Sequence, residues 1–318
     1  VVDTAPKFAR GWSPRRRLVA MAVVAGIVVG AVAVFDRRDS GPPDSPPGSW
    51  TMVVHEGLGA WVDAYDWTVE LGGKEPTVDV EDIEAMADSG VQTVYLQTSH
   101  SRSARDVMEP ERLDELIDAA HANGMHVVAW YLPTLADLGA DLRRLEAAAA
   151  LRVDGLGVDI ESTTVENVID RNRRLVELSR SLREAVPAGR PIAAITLSAV
   201  HVEVVNPAYW PDYPWAELAM TFDVMMPMAY WSIRQGELRD GGRYVAENID
   251  RIRASTGDPD IPIHVIGGIA DDVTNAELRA MVAAIQVRGA IGGSLYDWRT
   301  SQPTHWLTLA PLAELRAG

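Results

Sequence analysis

The chain has 318 residues, no cysteine and a formal net charge of −16. Residues 1–40 hold seven basic side chains against three aspartates, which leaves −20 on the remainder. That balance excludes nucleic-acid binding, which needs basic surface to displace counterions, and the missing cysteines exclude a disulfide framework and thiolate chemistry.

From the N-terminus, residues 1–17 form a basic segment ending in Arg15-Arg16-Arg17, and residues 18–35 (LVAMAVVAGIVVGAVAVF) are an apolar run without a charge. About 18 apolar residues can span a bilayer, and a basic flank keeps the preceding segment cytoplasmic. The run is longer than the core of a usual secretory signal, so the expectation is an uncleaved single-pass anchor. In the rival reading Ala31-Val32-Ala33 is a cleavage site and the protein is secreted. Residues 36–49 (DRRDSGPPDSPPGS) have the composition of an extended linker, which places residues 50–318 outside the cytoplasm.

Beyond the linker, short branched apolar runs predict strands over 58–63, 93–98, 126–131, 155–160, 192–197, 224–230, 263–267 and 292–296. Helical patterns fall between them at 80–89, 110–123, 135–150, 165–185, 244–254 and 275–287. Gly90, Gly124 and Gly289 sit just past helix ends, and Thr274 is placed to start one. Eight strand–helix units in about 260 residues indicate a (β/α)8 barrel. An open doubly wound sheet would need a glycine-rich turn after its first strand, and Gly57-Leu58-Gly59 precedes that strand instead.

Barrel active sites sit at the C-terminal ends of the strands. Those ends offer Trp61 and Asp63, Gln97, Tyr131, Asp159 and Glu161, Tyr230 and Trp231, and Asp297 and Trp298 as candidate site residues. Asp159 and Glu161 are the most telling. Two residues apart on one strand, they share a face. Like-charge repulsion and partial burial there would keep a protonated acid available near neutral pH, as a glycosidase requires. Ten tryptophans against three phenylalanines, with Tyr209, Trp210, Tyr213 and Trp215 in one loop, suit stacking on sugar faces.

The run Asp154-Gly155-Leu156-Gly157-Val158-Asp159-Ile160-Glu161 resembles the Asp-Gly-x-Asp-x-Asp-x-Glu motif of family 18 glycoside hydrolases, the chitinase family. Met228-Ala229-Tyr230 is similar to that family's Met-x-Tyr on the sixth strand, and the segment ending in Asp297-Trp298 to its eighth. The resemblance implies that Glu161 is the general acid. It implies that Asp159 orients the substrate's N-acetyl group, which acts as nucleophile, that Tyr230 supports that group and that Trp298 floors the sugar site. Three positions depart from the pattern: Gly157 replaces the middle Asp, Trp231 stands where Asp usually follows the Tyr, and Pro227 lies within the sixth strand.

The expected function is therefore a membrane-anchored glycoside hydrolase on a polysaccharide or cell-wall glycan, without cofactor or metal. The seven histidines show no paired metal-ligand spacing. Two alternatives stay open. One is a muramidase resembling family 25 lysozymes, with Asp63 joining Asp159 and Glu161 and Asp66 in reserve. The other is a glycan-binding barrel that has lost the chemistry.

Overall fold

In the computed structural model, which describes residues 52–316, all eight expected strands form. They are β1 (Gly57–Val62), β2 (Thr93–Gln97), β3 (His126–Tyr131), β4 (Gly155–Ile160), β5 (Ile192–Thr196), β6 (Val224–Pro227), β7 (His264–Ile269) and β8 (Gly292–Tyr296). The anchor at 18–35 and the linker at 36–49 lie outside the described residues. Among the described residues no helix is long and apolar enough to cross a membrane.

Every pairing is parallel, and the strands follow one another in sequence order, with β1 hydrogen-bonded to both β2 and β8. β6 and β7 complete the ring through two isolated bridges, Met225 to Ile263 and Met228 to Ile266. Pro227 explains why this seam is thin. Met228 N donates to Thr196 on the β5 side, while Met225 N and Ala229 N donate to Pro262 and Ile266 on the β7 side. The alternation puts the N–H that proline lacks on the β7 side.

Ten helices are described: α1 (Ala64–Trp67), α2 (Val69–Gly72), α3 (Val80–Asp88), α4 (Pro110–Ala122), α5 (Leu138–Ala149), α6 (Val168–Ala185), α7 (Trp215–Ala219), α8 (Gly241–Thr256), α9 (Asn275–Arg288) and α10 (Pro303–Leu309). Of the six longer ones, α4 begins at Pro110 without a side-chain cap, and the other five begin at a capping side chain. Asp79, Asp137, Asn167, Asp240 and Thr274 each accept a backbone N–H of the first turn. The short helices α1, α2, α7 and α10 escaped the sequence pattern because one turn carries too little periodicity to register.

Along each strand alternate residues enter the barrel or face the helices. Trp61 fills the interior, stacked on Tyr95 at 4.4 Å, edge-on to Trp130 at 5.7 Å, and donating from Nε1 to Ser294 at 2.8 Å. Below it, His264 bonds Ser294 and the His55 carbonyl, and His55 reaches the Tyr95 hydroxyl. This plug raises the floor of any cleft to the upper rim.

Candidate active site

β4 carries acids at both ends, and the barrel treats them oppositely. At the lower end Asp154 accepts from Val127 N at 2.8 Å and pairs with His121 at 3.0 Å, which holds its carboxyl well below the usual range. At the upper end burial pushes both Asp159 and Glu161 up, and the neighbouring Glu161 charge pushes Asp159 further. Asp159 Oδ1 is buried with no hydrogen-bond partner among the described residues. Two such acids titrate as a unit, and the pair retains a proton above the ordinary carboxylate range.

Gly157 lies one layer beneath. A Cβ there would stand 3.0 Å from Ile195 Cδ1 and 3.2 Å from Trp130 Cβ. The middle acid of the family 18 pattern has lost its space to these two side chains, so Asp159 has no relay below it.

Three tyrosines lie within the field of the pair. Tyr213, from the loop after β5, donates to the Ile160 carbonyl at 3.2 Å and is pushed well up by burial and by the Asp159 and Glu161 charges. Tyr230 is likewise raised by burial and then by Glu161, Asp159 and Asp297, so its hydroxyl stays a proton donor. Its ring meets Tyr296 at 6.2 Å. Tyr209 lies within the field of Glu161 and leaves 38% of its surface exposed.

A second acidic group comes from β1 and β8. Asp63 caps α1 through Tyr65 N at 2.7 Å and accepts the Tyr296 hydroxyl at 3.1 Å. Asp66 on α1 pairs with Arg299 at 2.9 Å, and Asp297 accepts from Thr300 N at 2.9 Å and Thr300 Oγ1 at 2.6 Å. Oxygens of Asp63, Asp66 and Asp297 lie within 4.8 Å of one another. Burial and mutual repulsion raise Asp63 to about 6 and Asp66 to about 8.

The expected residues thus divide. Asp159, Glu161, Tyr230, Asp63 and Asp297 gather at the upper rim. Gln97 supports them from beneath: its Oε1 accepts Ala64 N at 2.9 Å and its carbonyl accepts Trp67 Nε1 at 2.9 Å, which pins the turn carrying Asp63.

The aromatics need correction. Trp61 is core. Tyr131 faces outward, its hydroxyl donating to Asp141 of α5 at 2.6 Å, because its neighbour Trp130 occupies the inward position. Trp231 is fully buried against Gly241 and Gly268, where added Cβ atoms would come within 2.9 and 3.2 Å of its ring. Trp298 turns to Asp82 of α3 at 3.2 Å and to Trp306 of α10 at 5.0 Å. Tyr296 takes the inward place instead, as counting two residues on from Ser294 would have shown. Arg299 had no signal in the sequence.

No known family profile matches the chain, and no curated protein matches it. Solved structures do share its fold. A chitinase from Bacteroides thetaiotaomicron superposes with TM-score 0.57 at 11% identity, over 81% of this chain and 95% of that one. A family 18 chitinase from Cycas revoluta in complex with (GlcNAc)4 gives 0.59 at 11%, over 82% and 100%. The spore cortex-lytic enzyme SleL of Bacillus cereus gives 0.59 at 10%, over 80% and 73%. The barrel is of the kind found in chitinases.

Proposed function

We propose that the chain is a glycoside hydrolase acting on an N-acetylated polysaccharide, tethered by residues 18–35 with its barrel on the outer side of a membrane. The observation that carries this is the raised acid pair at the end of β4, with Asp159 Oδ1 lacking a partner and Tyr230 within the field of both acids. Chitinases among the structures of like fold, one of them holding (GlcNAc)4, support the same substrate class.

The chemistry follows from what each group can give. Glu161 in its neutral form protonates the leaving glycosidic oxygen. The substrate's acetamido oxygen attacks C1 as that bond breaks. Asp159 accepts the acetamido N–H through its free oxygen, and Tyr230 donates to the acetamido oxygen, so both stabilise the cyclic intermediate. The Glu161 carboxylate then takes a proton from water as it opens that intermediate, with net retention. β7 ends in Gly267-Gly268-Ile269, so the common arrangement with a protein nucleophile there is not open to this barrel, and a substrate nucleophile fits.

Asp63 gives the muramidase reading a specific footing, because it reaches the same rim and is raised to about 6. Asp63→Asn separates the two: it abolishes turnover if Asp63 is in the chemistry and weakens it several-fold if it only binds. The principal test is reducing-end release from chitin, peptidoglycan and neutral glucans by the purified chain and its Glu161→Gln variant. Turnover of an N-acetylated polymer that the variant lacks supports the proposal. Tight binding without turnover in the parent replaces it with a glycan-binding barrel.

A further inference from the structure

The group formed by Asp63, Asp66 and Asp297 takes no part in the acetamido-assisted chemistry above, and only the muramidase reading draws on Asp63. Its three carboxylates lie within 4.8 Å of one another, and Asp66 and Asp297 are buried, unlike the exposed acidic clusters common on protein surfaces. A separate observation concerns Asp66, which is only 2% exposed. Arg299 occupies its Oδ1, while its Oδ2 is enclosed with no hydrogen-bond partner among the described residues. A buried carboxylate with one oxygen unpaired, beside two further acids, calls for a positive ligand.

We infer that Asp63, Asp66 and Asp297 bind one divalent cation at the junction of β1 and β8. Once the ion has displaced the protons the group otherwise holds, three carboxylates against the single Arg299 guanidinium leave two negative charges, which one such ion cancels. The ligands are all oxygen, with neither histidine nor thiolate, so the site takes calcium, magnesium or manganese rather than zinc or copper. It is also built to hold them. Asp63 is fixed by Tyr65 N and the Tyr296 hydroxyl, Asp297 by Thr300, and the turn bearing Asp63 and Asp66 by Gln97. The ion joins the turn after β1 to the turn after β8 and lowers the negative field that Asp297 casts on Tyr230.

The test reads binding directly and does not depend on turnover, so it stands or falls apart from the glycosidase reading. The full-length chain, stripped with chelator, is titrated with calcium, magnesium and manganese in turn by calorimetry, and its melting temperature is followed at each ion concentration. The expected result is one ion per chain and a melting temperature that rises with ion concentration. Asp66→Asn and Asp297→Asn should each weaken affinity by about tenfold or more. Glu161→Gln should leave it unchanged, which separates this site from the acid pair on β4. Should Asp66→Asn fail to fold, Asp297→Asn and the melting curves of the parent decide. Absence of saturable binding at millimolar concentrations of all three ions would leave the group neutralised by protons alone and overturn the inference. So would binding that survives both asparagine variants.

Discussion

Asp154 just before β4 and Asp159 near its end are five positions apart in the sequence, and their chemistry diverges because of what reaches each. Two histidines and a backbone N–H stabilise the charge on Asp154, whereas only burial and Glu161 act on Asp159. This sets the pH behaviour of the proposed reaction. The acid works in its protonated form, so activity falls as pH rises through the raised titration of the pair. The basic limb of kcat/KM should lie above 4.5, the ordinary value for a glutamate, and a limb at or below it contradicts the assignment. Glu161→Gln should lower kcat by about 10²–10⁴-fold with an unchanged melting profile. At this scale period-two alternation put Asp159 and Glu161 on one shared face from sequence alone. Applied equally to β3 and β8, it would have turned Tyr131 outward and chosen Tyr296 over Trp298.

At the scale of elements, two of the three departures from the family 18 pattern have a packing cause. Gly157 makes room for Trp130 and Ile195, and Trp231 lies against glycines of β7 and α8. Restoring the acid with Gly157→Asp should therefore not improve the site. It should destabilise the fold by about 1–3 kcal/mol from overpacking alone, measured by denaturant unfolding. A variant as stable as the parent would show that Ile195 yields without cost. Pro227 weakens one seam and leaves the others intact. Hydrogen exchange should thus find amides along β6 and β7 less protected than those along β3 and β4, where the ladder is continuous. Equal protection would mean that the two bridges close the barrel as firmly as a full ladder.

For the whole molecule, the buried plug beneath the cleft adds to the acid sensitivity to which Asp154 also contributes. Burial, followed by the charge of His264, lowers His55 to about 3, and burial lowers His264 to about 4. Both are neutral in the folded protein at a pH where the unfolded chain already takes up protons. Their contribution is present above about 6.5 and is lost as pH falls from there through 4 and then 3. His55→Phe should flatten that acid decline in melting temperature. It should also cost about 1 kcal/mol at neutral pH for the bond to Tyr95. An unchanged decline would place the acid sensitivity elsewhere.

The sequence by itself determined the alternation of strands and helices, the parallel barrel that follows from it, and the acid pair on β4. Each is a local matter of period, caps and spacing, legible within a few residues. The tertiary structure alone decided which rim residues converge. Tyr296 and Asp63 are 233 positions apart and meet because β8 pairs with β1. The same closure brings Asp66, Asp297 and Arg299 together, and no local pattern encodes it. It also decided that Trp61 and Trp231 fill space, since only a closed ring, packed inside and out, fixes which side of a strand end remains open to a ligand.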